Sequence, residues 1–187
     1  MRLKTKLAAL LGLMALPLSA SAAVIGGTYY APQYDYAEFF AATDGRNFQV
    51  ILAGNPFPGL DPGGVARDLL PLMQAAKPRP ALTFTYDDPV ERPRPYYRLV
   101  LIFNPTLDLG SNAVCNGTTR LRPGQPGLFY VYAVYCRNDQ VLSETTAWTQ
   151  ATAPNDPRIG QLFREMFQVV WNDSPAYPRL NGRRNAP

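Results

Sequence analysis

The chain has 187 residues, 47% hydrophobic and 17% charged, with 19 Pro, 14 Gly, two Cys, no His and a formal net charge of +4. Without histidine, a Ser-His-Asp triad, a Cys-His pair, an HExxH zinc site and any imidazole acid–base relay are excluded. The length suits one domain that buries its own core without a structural metal or many disulfides.

In chain order, residues 1–22 read as a secretory signal peptide. Arg2, Lys4 and Lys6 precede the apolar run Leu7–Leu18, Pro17 interrupts its end, and Ala20-Ser21-Ala22 supplies small residues for cleavage. No cysteine lies near that junction and no later apolar run approaches membrane-spanning length, so the expected mature product is periplasmic or secreted, without a transmembrane segment. Cleavage would leave 15 cationic and 14 acidic side chains. Arg179, Arg183 and Arg184 fall in an expected flexible tail, residues 178–187. The body between then has no basic face, and nucleic acid is not an expected partner.

Residues 23–177 are expected to form a single α+β domain. Tyr36–Thr43 and Asn47–Gly54 are apolar-rich runs separated by Asp44-Gly45-Arg46, a pattern that predicts a β-hairpin. Asp61 caps a predicted helix with Pro62 in its first turn and Val65, Leu69, Leu72, Met73 and Ala76 at helical spacing. Pro71 inside that pattern predicts a kink or a late start near Asp68. Ala81–Tyr86 and Tyr96–Phe103 read as strands joined by a Pro-Arg loop of extended backbone. Leu128–Arg137 and Val141–Trp148 flank Asn138-Asp139-Gln140 as a second hairpin. Asp156-Pro157 opens the most regular helix, with Ile159, Leu162, Phe163, Met166, Phe167 and Val170 on one stripe. This order predicts a two-layer α+β domain: a mixed, mostly antiparallel sheet of about six strands with two helices on one face. The first helix is a crossover that makes the strands around it parallel.

Cys115 and Cys136 both lie in the exported part, where an oxidising compartment favours a disulfide; their spacing lacks the CxxC form of a redox pair. Eleven tyrosines are the most unusual feature of the composition. Tyr96, Tyr130 and Tyr132 form the candidate binding surface, because flat rings with polar tips stack on sugars or anchor protein partners. Alternation puts Tyr130 and Tyr132 on one face and Tyr135 on the other. The alternative is that the tyrosines pack beneath the N-terminal segment, since aromatics are good strand formers.

Carboxylates are the remaining candidates for acid–base work. Asp87, Asp88 and Glu91 form the densest cluster and Glu144 is the one acid within the last strand. Paired carboxylates cleave glycosides when held across a substrate. The cluster lacks EF-hand spacing, Arg92, Arg94 and Arg98 lie close enough in sequence to neutralise it, and Arg137 and Asp139 sit across the hairpin turn from Glu144 as expected ion-pair neighbours. No phosphate loop, dinucleotide fingerprint or SxxK motif is present, and no metal or cofactor is expected.

The segments Gly54-Asn55-Pro56-Phe57, Tyr97-Arg-Leu-Val-Leu-Ile-Phe-Asn-Pro105, Cys115, Tyr135-Cys136-Arg-Asn-Asp139 and Asp156-Pro-Arg158 resemble a family of short exported proteins of alphaproteobacteria with no assigned activity. The resemblance implies a bacterial periplasmic setting. The expected function is therefore a non-catalytic accessory or binding domain of the envelope, with an envelope protein or a glycan as partner. The alternative is a small carboxylate-dependent hydrolase acting on cell-wall glycan.

Overall fold

A computed structural model describes residues 23–175. The expected signal peptide and the arginine-containing tail lie outside them. The elements run β1 (Val24–Tyr30), α1 (Tyr36–Thr43), β2 (Asn47–Ala53), α2 (Pro62–Ala76), β3 (Thr83–Thr85), β4 (Tyr97–Phe103), α3 (Ser111–Cys115), β5 (Leu128–Arg137), β6 (Gln140–Gln150) and α4 (Pro157–Val170). One sheet has the order β1-β6-β5-β4-β2-β3. The three pairs from β1 to β4 are antiparallel, whereas β2 pairs in parallel with both β4 and β3. This is the mixed, mostly antiparallel α+β sheet that the sequence predicts, and the α2 crossover makes its flanking strands parallel.

Alternation along the central strand sorts the two layers. Leu99, Leu101 and Phe103 of β4 face the main core with Phe129, Val131, Ala133 and Tyr135 of β5, under α1, α2 and α4. Val100 and Ile102 face the other way, into a smaller cluster with Tyr132, Val134 and Cys136 beneath α3. All six stripe residues of α4 are fully buried. Its start is fixed by Asp156, whose carboxylate accepts from the Arg158 backbone N–H at 3.0 Å and is gripped by the Arg158 guanidinium at 2.9 and 2.6 Å. That guanidinium bond holds the Asp156 carboxyl below the ordinary carboxylate range. A depressed carboxyl stabilises the fold at pH above its unfolded value, and the contribution disappears as pH falls through its folded value. Asp156→Ala is accordingly expected to cost about 1 kcal/mol at neutral pH. A thermal melt should show the loss at pH 7 and a smaller gap between variant and wild type in strong acid.

Four local expectations need correction. Tyr36–Thr43 is a helix, not the first strand of a hairpin: Asp35 caps it by accepting from the Ala37 N–H at 2.8 Å, and Gly45, at φ 67°, turns the chain after the last helical residues into β2. Asp-Gly therefore ends a helix here. The first strand is instead Val24–Tyr30, which pairs with β6 at the sheet edge. Helix α2 neither starts late nor breaks at Pro71, because Asp61 caps Gly64 N–H at 2.7 Å and Pro71 is exposed, where water can satisfy the carbonyl one turn earlier. Two short helices, α1 and α3, accompany the two expected ones.

Candidate functional site

Helix α3 has five residues, too few to hold a helix on their own. Tertiary bonds fix it. Cys115 at its end is disulfide-bonded to Cys136 of β5, with Cα atoms 5.7 Å apart, and Val114 packs into the cluster around Val100 and Val134. The third tether is Arg98, whose guanidinium donates to the Cys115 carbonyl at 2.6 Å and to the Asn138 carbonyl at 2.7 Å. Asn138 adopts a left-handed conformation in the β5–β6 turn, and its side chain accepts from the Tyr96 N–H at 3.0 Å while its own N–H reaches the Tyr96 carbonyl at 2.7 Å. Arg98, Tyr96, the hairpin turn and the disulfide are thus one bonded unit at the start of β4.

Beside this unit opens a cavity of about 900 Å³. Arg92, Arg94, Tyr96 and Arg98 line it together with Val100, Val114 and Asn116. The Arg92 and Arg98 guanidinium carbons lie 5.2 and 4.9 Å from the centre of the Tyr96 ring, within cation–π range. The Tyr96 hydroxyl donates to Gln49 of β2, whose amide in turn donates to Asp88 at 3.3 Å. Burial raises the Tyr96 hydroxyl and lowers the Arg98 guanidinium from their ordinary values. Arg98 is only 9% exposed, yet no carboxylate among the described residues comes within 4.0 Å of it.

The acids expected near these arginines are differently placed. Asp87, Asp88 and Glu91 are exposed, and their one ion pair among the described residues is a loose contact of 3.9 Å between Asp88 and Arg92. Glu144 lies on β6, three strand spacings from the Gln49 that Asp88 touches, or about 14 Å. That exceeds the span of roughly 5–9.5 Å over which carboxylate pairs work on a glycoside. Glu144 does not pair with Arg137. It accepts from the Tyr132 hydroxyl at 3.0 Å, while Arg137 points to the opposite face and grips both Glu38 oxygens at 3.0 and 2.8 Å. The Tyr97 hydroxyl also donates to Glu38, and burial followed by this carboxylate pushes it up to about 12. This network ties α1 to β4 and β5 under the main core.

The three candidate tyrosines share a face of the sheet without forming one strip. Ile102 pairs with Tyr132 and the Asn104 N–H bonds to the Tyr130 carbonyl, so Tyr96 lies eight residues, roughly 26 Å, along β4 from the level of Tyr130. Tyr132 is 7% exposed beside Glu144, and the half-buried Tyr130 packs edge-on against Trp148 under the Arg122 guanidinium. The N-terminal strand does not cover these rings; it adds Tyr29, 45% exposed and paired with Glu144, to the edge of the same face. Sequence reasoning missed Arg98 as a site residue. The available signal was a single charge inside a strand otherwise made of hydrophobic residues, Tyr97–Phe103.

Among the described residues there is no group of three or more His, Cys, Asp or Glu that could hold a metal ion, and no helix is long and apolar enough to cross a membrane. No family model matches the sequence, and no curated protein matches it. Among solved structures, the chain is similar to the PelC dodecamer from Paraburkholderia phytofirmans at 13% identity and a TM-score of 0.43, over 82% of this chain and 99% of that one. It is also similar to a single-substitution variant of that dodecamer at 10% identity and a TM-score of 0.40, over 80% of this chain and 96% of that one. These likenesses carry no argument about the chemistry of the cavity, which rests on the residues themselves.

Proposed function

We propose that the protein is an exported, non-catalytic binding domain of the bacterial envelope, and that the cavity beside Cys115–Cys136 is its ligand site. The observation that carries this reading is the buried Arg98 guanidinium, held in place by two carbonyls and with no carboxylate within 4.0 Å among the described residues. A charge left in that state is costly, and a bound anion relieves the cost. The disulfide supports an oxidising compartment, in keeping with the charged and apolar leader pattern at the N-terminus and with the resemblance to exported alphaproteobacterial proteins. Dispersed acids count against the hydrolase alternative.

The test is an amide-resolved NMR titration of the oxidised protein with acetate and with phosphate at constant ionic strength. Saturable shifts confined to residues 92–98, 114–119 and 136–139 are expected. Shifts that fail to saturate, or that spread over Tyr29, Tyr130 and Trp148 instead, would overturn the assignment of the site.

A further inference from the structure

The lining of the cavity specifies more than an anion. A guanidinium has five N–H donors, and the two Arg98 bonds to Cys115 and Asn138 use one on each terminal nitrogen, leaving three without a hydrogen-bond acceptor among the described residues. Beyond its place over the Tyr96 ring, Arg92 makes only the loose ion pair with Asp88, and Arg94 forms no ion pair, among the described residues. Against these three cations the lining sets two carboxylates, Glu91 and Asp139. The lining alone carries a surplus of a single positive charge, and Asp88, outside the lining but 3.9 Å from Arg92, adds a further negative charge that disfavours a dianion. A monoanion balances the lining's surplus, whereas a phosphate dianion would face two carboxylates with one charge to spare.

The uncharged lining gives the rest of the ligand. The half-buried Ile51, backed by the buried Val100 and Val114, offers an apolar wall, and Asn116, Thr119 and Asn138 offer amide and hydroxyl groups around it. At about 900 Å³ the cavity is at the upper end of small-molecule sites, far larger than a bare carboxylate needs. Glu91 and Asp139, neither in an ion pair within 4.0 Å among the described residues, can accept hydrogen bonds from ligand hydroxyls. The combination asks for one carboxylate, several hydroxyls and a ring with an apolar face.

We infer that the cavity binds a carboxylated sugar, a hexuronic acid unit, with its carboxylate on Arg98 and Arg92 and its ring against Ile51. This rests on the cavity being an anion site as proposed above. It goes further in naming the ligand class and in ranking it above phosphorylated ligands and neutral sugars.

Calorimetric titration of the oxidised wild-type protein with D-glucuronate, D-glucose, acetate and glucose 6-phosphate tests it. Glucuronate is expected to bind about tenfold or more tighter than each of the other three, a preference of about 1.4 kcal/mol. Arg92→Gln, at an exposed position outside the core, should weaken glucuronate about fivefold while leaving the melting temperature unchanged; the effect is expected to shrink as salt is raised. Acetate binding as tightly as glucuronate would overturn the sugar assignment while the anion site stands. Glucose binding as tightly would overturn the role of the arginines. Tighter binding of glucose 6-phosphate would overturn the monoanion argument, and no binding by any of the four would remove both this inference and the anion site beneath it.

Discussion

Phe163→Ala is expected to destabilise the protein by about 3–5 kcal/mol, the usual cost of emptying a core aromatic site. Phe163 has no exposed surface, stacks on Phe167 at 5.5 Å between ring centres and meets Phe129 of β5 edge-on at 6.0 Å. Its neighbours cannot collapse into the gap, because Phe129 is itself held by Phe57 and Phe103. For a chain of this size the melting temperature should fall by roughly 6–20 °C. An unchanged melt would mean that the apolar stripe of α4 is not what covers the sheet. The aromatic contacts on either side would then need another explanation.

The second large effect is expected from removing the disulfide. Cys115→Ala with Cys136→Ala should cost about 3 kcal/mol, given a closed loop of some 20 residues. The local consequence differs from that of Phe163→Ala. The cluster on the α3 side is small, and α3 is tethered by three things: the bridge, the packing of Val114, and the Arg98 bond to the Cys115 carbonyl. Losing the first frees the end of α3, so the arginine loses one of the two acceptors that position it. Reductant should reproduce the loss of stability in the wild type and have no effect on the double variant. The same comparison should show the glucuronate response fading with the bridge, while Phe163→Ala at a temperature below its melt leaves that response in place. Equal melts for the oxidised wild type and the double variant would show that the bridge does not hold this side of the sheet together.

How far the sequence reveals these elements follows from how each is stabilised. Helix α4 is legible because its stripe recurs without a miss and Asp156-Pro157 marks its start. The β5–β6 hairpin is legible for a similar reason, with long β-branched and aromatic runs on both sides of a short polar turn. Helix α1 is misread because eight residues give barely two turns of periodicity, and Asp44-Gly45 serves a helix end as readily as a hairpin. Its three alanines, with Asp35 followed three residues later by Glu38, carried the opposite signal of a capped helix. Strand β1 is hidden by Gly26 and Gly27, which break the alternation at a register shift, and Gly26 is needed there because a Cβ would come within 2.1 Å of the Thr146 hydroxyl. Helix α3 has no sequence signature because it owes its shape to the disulfide and to Arg98.

The site is less legible than the fold for a related reason. Tyrosine content pointed to one face of the sheet, the face that also carries the cavity, since Tyr96, Tyr130 and Tyr132 all lie on the α3 side. It did not show that Tyr96 stands apart with two arginines. That arrangement depends on the β5–β6 turn closing over the start of β4, through Asn138, across 42 residues of chain. Local composition holds no trace of such a contact.

The pairing of β1 with β6 bears on how fast the molecule can form. Tyr30 lies opposite Ser143 and Val24 opposite Trp148, so the first described strand finds its neighbour in the sheet more than a hundred residues later. The central strand β4 likewise joins a parallel neighbour from before α2 to an antiparallel one from beyond α3. A topology built on such distant partners has a high contact order, and closing those loops costs chain entropy before any burial offsets it. Folding should therefore take milliseconds to seconds rather than microseconds. A nascent chain that has not yet reached residue 150 cannot complete the sheet. During synthesis Val24–Tyr30 must wait as an unpaired edge, and any holding factor that meets this protein would find that strand available longest.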